Sequence, residues 1–312
     1  MIGHLRTKIN KLKIFYLTIL GMLFAVFIVL AFLNVTVKRA NFLSDIYVSP
    51  LTFEPERYPQ VENKYEPIIS AQGAVVLDKD SKVPLFEKNP NLRFSPASTT
   101  KIMTALVALD YFNPGDILTI SQTYVEGSVI GFRPQERFTF EDLAYAMLLP
   151  SANDATASIA QNYPGGEEAF VAKMNEKAKQ LYLMDTYYED PIGLLDEQDY
   201  TSAMDLARLS AIALQNPIFA KIVSTKSRQI RSLEGNQYLL YNLNKLLDLP
   251  GVNGVKTGTT QGAGQVLVTS RRIEDKDADL IIVVMQSTDR FGDTKALLNY
   301  LDQNLNYLST HP

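Results

Sequence analysis

From Ile14 to Leu33 the chain runs for 20 residues without a charge, interrupted only by Tyr16, Thr18 and Gly21. Coiled as a helix, such a run is about 30 Å long, the thickness of a bilayer's hydrocarbon core, so the pattern predicts one N-terminal transmembrane helix over 14–33. Arg6, Lys8, Lys11 and Lys13 precede it, and only Lys38 and Arg39 follow closely. That asymmetry places residues 1–13 as a basic tail in the cytoplasm and the remainder of the chain outside. A cleaved signal peptide is the competing reading. Its apolar core is usually about 7–15 residues and ends in small side chains, whereas this run leaves through Phe32, Leu33, Asn34 and Val35.

Four prolines between Ser49 and Pro67 favour an extended, semi-rigid spacer, so residues 34–67 read as a stalk and 68–312 as the folded body. In the body, Gly73 to Leu77 and Val83 to Phe86 flank the polar Asp78 to Lys82 stretch, which is a hairpin signal. Lys101 to Leu109 is apolar on nearly every side, as a buried helix is. Further helical stretches follow at Leu143 to Leu149, Phe170 to Tyr182 and Ala203 to Ala213. Strands return at Val255 to Thr260, Gln265 to Ser270 and Leu280 to Gln286, before a closing helix from Thr294 to Leu305. Strands at both ends around a helical middle predict an α+β body with one antiparallel sheet.

Composition narrows the chemistry. There is no cysteine, which removes thiol nucleophiles, disulfides and thiolate metal sites. The two histidines, His4 and His311, lie at the chain ends, so a Ser-His-Asp triad inside the body is not expected. The first 39 residues hold six of the 30 Lys and Arg and none of the 34 acids, so the remainder carries a net charge of -10. An acidic body argues against nucleic-acid binding through a basic patch.

Three short patterns could carry a reaction. Ser98-Thr99-Thr100-Lys101 opens the apolar helix, and a spacing of three puts Lys101 one turn from Ser98 on the same face. Burial lowers a lysine's pKa, and a neutral amine can be the general base that the missing histidine is not. In the bland alternative Ser98 caps the helix and Lys101 snorkels to water. Ser151-Ala152-Asn153 follows Leu148-Leu149-Pro150; it is either a hydroxyl relay with a substrate-holding amide, or a capping box of Ser151 with Asp154. Lys256-Thr257-Gly258 lies on an expected strand. It is either an edge-strand charge before a glycine turn, or a cation beside a strand edge offered to an extended peptide, with Gly258 allowing close approach.

Each pattern occurs once, and their order resembles that of penicillin-binding proteins and class A β-lactamases. With Asp190-Pro191-Ile192-Gly193-Leu194 and Ala263-Gly264, the stretch from about Ile69 to Tyr307 resembles the low-molecular-mass penicillin-binding proteins of the D-alanyl-D-alanine carboxypeptidase family. The resemblance implies the DD-peptidase/β-lactamase-like fold, an antiparallel sheet flanked by helices plus a helical subdomain. It implies Ser98 as acylated nucleophile, Lys101 as its base, Ser151 as proton relay and Asn153 as ligand of substrate and lysine. Lys256 and Thr257 would bind the substrate carboxylate, and Ser98 and Thr259 would supply the oxyanion N–H groups beside Gly258. Arg290 matches an arginine that reads the terminal carboxylate in some relatives. The implied partners are peptidoglycan stem peptides ending in D-Ala-D-Ala and, as covalent inhibitors, β-lactams, with no metal or organic cofactor. Two other readings stay open, a β-lactamase and an inactive wall-binding protein of the same fold. Ala152 stands where β-lactamases usually have Asp, and no Glu-x-x-Asn occurs in the chain. The implied location is the bacterial membrane with the catalytic domain outside, or secretion if the N-terminal segment is cleaved.

Overall fold

The computed structural model describes residues 57–62, 66–121 and 126–309. The expected cytoplasmic tail, the membrane span over 14–33 and the spacer up to residue 56 lie outside the described residues. Among the described residues, no helix is long and apolar enough to cross a membrane.

The body is α+β. Its main sheet has five antiparallel strands: β2 (Gly73–Asp78), β3 (Pro84–Lys88), β8 (Val252–Thr260), β9 (Gly264–Ile273) and β10 (Ala278–Ser287). Their order is β3-β2-β10-β9-β8, which leaves β8 on an edge. The expected Gly73/Val83 hairpin is the β2–β3 pair. Leu280 to Met285 is apolar without alternation because both faces of the sheet are covered. Val75, Val268, Ile281 and Val283 pack on one side into the main core with the helices. Val76, Leu267, Ile282 and Val284 pack on the other side against Leu297, Leu298 and Leu301.

The helical middle comprises α1 (Lys101–Tyr111), α2 (Phe140–Leu148), α3 (Asn153–Gln161), α4 (Gly166–Gln180), α5 (Ala203–Ala213) and α6 (Pro217–Val223), and α7 (Arg290–Asn304) closes the other face. Helix α5 lies on the sheet and contacts α1, and the 3₁₀ turn that leads into α1, Ala97–Thr100, packs against β8. Two small hairpins escaped the sequence reading, β4–β5 (Ile117–Thr119, Arg137–Thr139) and β6–β7 (Ser227–Arg231, Gln237–Tyr241).

The boundary at residue 68 needs correction. β1 (Arg57–Val61) pairs antiparallel with β11 (Leu305–Ser309), Pro59 opposite Tyr307, so this part of the expected spacer is built into the body. Proline is tolerated because a two-stranded ribbon leaves each strand one unpaired side, where a missing N–H costs nothing.

Candidate active site

Phe94 and Thr201 exchange backbone hydrogen bonds of 2.9 Å, fixing the approach to Ser98. Ala97 then takes φ +47°, a left-handed value that costs about 1–2 kcal/mol in a residue with a Cβ. A 3₁₀ turn over Ala97–Thr100 leads straight into α1. Ser98 therefore sits on the turn one step before the helix and caps nothing, since no side-chain cap bond is made there.

Lys101 does not snorkel; it is fully buried. Its Nζ donates to Ser98 Oγ at 2.9 Å, Asn153 Oδ1 at 2.9 Å and the Ile192 carbonyl at 3.0 Å, which uses all three donors of an ammonium. Burial lowers its pKa to about 7, opposed by the charge of Asp190. Near neutrality, the amine can thus lose a proton and turn a lone pair toward the Ser98 hydroxyl.

The Ser151 capping box is absent, because the N-cap of α3 is Ala152 and its side chain makes no cap bond. Ser151 instead adopts φ +63°, and its buried Oγ has no hydrogen-bond partner among the described residues. A buried hydroxyl without a partner is uncommon. Here it lines the same cleft as Ser98. Asp154 turns away from Ser151, and its carboxylate accepts the N–H groups of Ile130 at 3.1 Å and Gly131 at 2.9 Å. This ties the 126–132 loop to the start of α3. Asn153 Nδ2 donates to the Glu126 carbonyl at 2.5 Å, so Asn153 holds both the lysine and that loop, with one amide proton left for a ligand.

β8 forms the opposite wall. A Cβ on Gly258 would stand 3.1 Å from Ser98 N and from the Pro96 carbonyl, so this glycine permits the close approach of strand and nucleophile. Lys256 is buried, and its Nζ donates to the Thr257 carbonyl at 3.0 Å. Burial, reinforced by the positive charges of Lys101 and Arg290, holds its pKa well below the ordinary lysine value. Arg290, the first residue of α7, donates through Nη1 to the Gly258 carbonyl at 2.8 Å and Thr259 Oγ1 at 2.6 Å. Among the described residues it makes no ion pair: Asp289 caps α7, and Asp293 accepts from Ser70, Ala71 and Ser287. The cleft between the walls is about 240 Å³ and is lined by Ser98, Ser128, Ser151, Leu243, Thr257, Gly258, Thr259 and Arg290. It is therefore a slot lined by a hydroxyl nucleophile and by the positive charge of Arg290, which makes no ion pair among the described residues.

All nine residues singled out in the sequence converge here; the sequence reading names the 190–194 stretch without giving it a role, and does not single out Asp196. Asp190 Oδ1 accepts the N–H groups of Ile192 and Gly193, and Oδ2 accepts those of Leu194 and Leu195. Asp196 accepts from Ser95 Oγ at 2.7 Å, from Gly262 N at 2.9 Å and from Thr260 Oγ1, joining the segment before Ser98 to the β8–β9 turn. An Asp-Pro followed by Gly is a recognisable turn signal, yet the carbonyl it aims at Lys101 has no side-chain signature. Gly193 is required in this turn, with φ +85° and a would-be Cβ 2.0 Å from the Ala97 carbonyl. Gly193→Ala is expected to lower Tm by about 2–4 °C or more, from a left-handed penalty of about 1 kcal/mol plus the clash. It should also slow active-site acylation. A scanning-calorimetry trace and acylation rate both equal to wild type would show that the turn does not pack on Ala97.

Similarity to known proteins agrees with this geometry. Residues 60–289 match the Peptidase S11 family, D-alanyl-D-alanine carboxypeptidase. The chain is 32% identical to D-alanyl-D-alanine carboxypeptidase DacF of Bacillus subtilis, over 84% of this chain and 69% of that protein. It is also 32% identical to a D-alanyl-D-alanine endopeptidase of Pseudomonas aeruginosa, over 75% of this chain and 78% of that protein. Its fold superposes on the crystal structure of the Streptomyces K15 DD-transpeptidase with a TM-score of 0.72 and 28% identity, covering 76% of this chain and 98% of that one. With a family match across most of its length and a Ser98–Lys101 pair at its cleft, the chain belongs to the D-alanyl-D-alanine carboxypeptidase family, peptidase S11.

Proposed function

We propose that the protein is a serine D-alanyl-D-alanine carboxypeptidase that removes the terminal D-Ala from peptidoglycan stem pentapeptides and is covalently inhibited by β-lactams. The observation that carries this reading is a buried lysine amine 2.9 Å from a serine hydroxyl, its pKa pushed down to about 7 by burial, in a chain whose two histidines lie at its ends. Neutral Lys101 takes the Ser98 proton as Oγ bonds to the carbonyl carbon of the penultimate D-Ala. The Ser98 and Thr259 N–H groups stabilise the oxyanion. The proton passes through Ser151 Oγ to the leaving nitrogen, the C–N bond breaks, and D-Ala departs. Water then attacks the Ser98 ester, giving its proton to Lys101; the acyl–Oγ bond breaks as Lys101 returns that proton to Ser98 Oγ, and the shortened peptide leaves. The test incubates the body with a fluorescent penicillin and with a tripeptide ending in D-Ala-D-Ala. Labelling together with release of free D-alanine is expected; labelling without any D-alanine would refute the carboxypeptidase reading.

The substrate's free carboxylate is what separates a chain end from a cross-link, and Lys256, Thr257 and Arg290 are its proposed readers. A buried ammonium without an acid partner is costly, and an entering carboxylate supplies that partner. A charged hydrogen bond is worth about 1.5–3 kcal/mol, so Arg290→Ala should lower kcat/KM on the free-acid peptide about 10-fold to 150-fold. Activity on the C-terminal amide should barely change. Equal wild-type rates on acid and amide would refute carboxylate reading.

We further propose that 14–33 is an uncleaved membrane anchor that holds the body outside the cell. The length of the apolar run and the basic asymmetry around it support this reading. Protease added to protoplasts should release an active soluble body. A mature N-terminus near residue 40 in cell extracts would instead indicate a cleaved signal.

A further inference from the structure

The Asp190 carboxylate gathers four successive backbone N–H groups, from Ile192 to Leu195. That turn rests on the first turn of α1: the Pro191 carbonyl accepts Thr104 Oγ1 at 2.6 Å, and the Ile192 carbonyl accepts Lys101 Nζ at 3.0 Å. Behind it lies Asp199, 1% exposed. Its Oδ1 accepts the Glu189 N–H at 2.6 Å, while its buried Oδ2 has no hydrogen-bond donor among the described residues. Glu189 directly precedes Asp190, so its bond to Asp199 seats the Asp199 carboxyl beside Asp190, whose charge acts on it.

An unpaired buried oxygen beside another carboxylate is a poor place for a second negative charge and a good one for a proton, because a protonated Asp199 would have the neighbouring Asp190 carboxylate as its acceptor. We propose that Asp190 and Asp199 share one proton and act together as positioning residues, clamping the 190–195 turn so that the Ile192 carbonyl stays on the Lys101 amine. Burial, opposed by the Glu189 N–H and reinforced by the Asp190 charge, pushes Asp199 up to about 7. The other groups around the pair do not relieve it. Tyr187, raised chiefly by its hydrogen bond to Glu189, and Tyr188, raised chiefly by burial, precede it in the chain and also feel the Asp199 charge; Glu167 on α4 is raised first by burial and then by Asp190. Lys101 on α1 is a cation facing Asp190. As pH rises through about 7 the shared proton is lost, two buried carboxylates repel, and the turn loosens over the amine.

This inference rests on Lys101 being the base, and the experiment separates the two. Acylation by a fluorescent penicillin is followed from pH 6 to 9 for the wild type, Asp199→Asn and Lys101→Ala. Asparagine keeps a donor toward Asp190 and cannot ionise. Asp199→Asn should stay within about twofold of wild type at pH 7 and exceed it by up to about 100-fold at pH 9, the factor by which the proton is depleted two units above 7. Coincident wild-type and Asp199→Asn profiles, with Lys101→Ala inactive, would overturn the clamp and leave the base in place. Retained acylation in Lys101→Ala would overturn both. A second measurement does not depend on the variant folding. Infrared titration of the wild type should show a protonated-carboxyl band at pH 6 that is lost by pH 8.5, and no such band at pH 6 would overturn the shared proton.

Discussion

Ser98→Ala is expected to leave a folded protein that no fluorescent penicillin labels and that releases no measurable D-alanine from a D-Ala-D-Ala peptide. Removing the nucleophile of a serine hydrolase costs on the order of a million-fold in kcat. The fold should survive, since Ser98 caps no helix and among the described residues its Oγ accepts only from Lys101. Mass spectrometry of the wild type should place the penicilloyl adduct on the peptide containing Ser98. An adduct on another serine, or one persisting in the variant, would move the nucleophile elsewhere.

The second large effect belongs to Lys101. General-base catalysis is worth about 100-fold to 10,000-fold, and Lys101→Ala should lose acylation in that range. Between about pH 5.5 and 7, wild-type acylation should rise as the amine sheds its proton. The same burial bears on stability. A lysine whose folded pKa has fallen from 10.5 to about 7 binds its proton less tightly folded than unfolded. Below pH 7 its charged form opposes folding in full, and that opposition is relieved as pH rises from 7 to 10.5. Lys101→Met should therefore have a higher Tm than wild type at pH 6, with the gap shrinking toward pH 10. A Tm difference that does not change with pH would contradict the burial argument.

How legible all this was in the sequence depended on where the signal resided. Ser98 and Lys101 were readable because a spacing of three puts two side chains on one face of a helical turn, here the 3₁₀ turn that runs into α1. The apolar run of β10 was readable because both faces of that strand are covered. The Ser151–Asp154 capping box had a correct pattern and the wrong outcome: Asp154 was recruited by the N–H groups of a loop more than twenty residues upstream, which no local pattern encodes. The β6–β7 hairpin was invisible because only one position in each strand, Ile230 and Leu240, is buried, which leaves no alternation to read. The loops that aim the Ile192 carbonyl and seat the Glu126 carbonyl act through backbone atoms, which every residue has. What identifies them is where the chain folds, not which side chains it carries.

The position of β2 between β3 and β10 has a consequence for how the molecule is made. The β2–β3 hairpin is complete by residue 88, but Asp78 finds its partner only at Leu280, roughly 200 positions later. At about 5–20 residues per second, synthesis keeps Val75, Val76 and Leu77 waiting about 10–40 s with two uncovered faces, and contacts of such long sequence separation slow folding. Helices α1 to α3 can form locally meanwhile, so Ser98, Lys101 and Asn153 can assemble before β8 exists. The strand carrying Lys256 then arrives among the last, and a nascent chain holds its base and nucleophile long before it has the wall against which a substrate could lie. Agents that bind exposed apolar strands should therefore intercept this chain most effectively before residue 278 emerges.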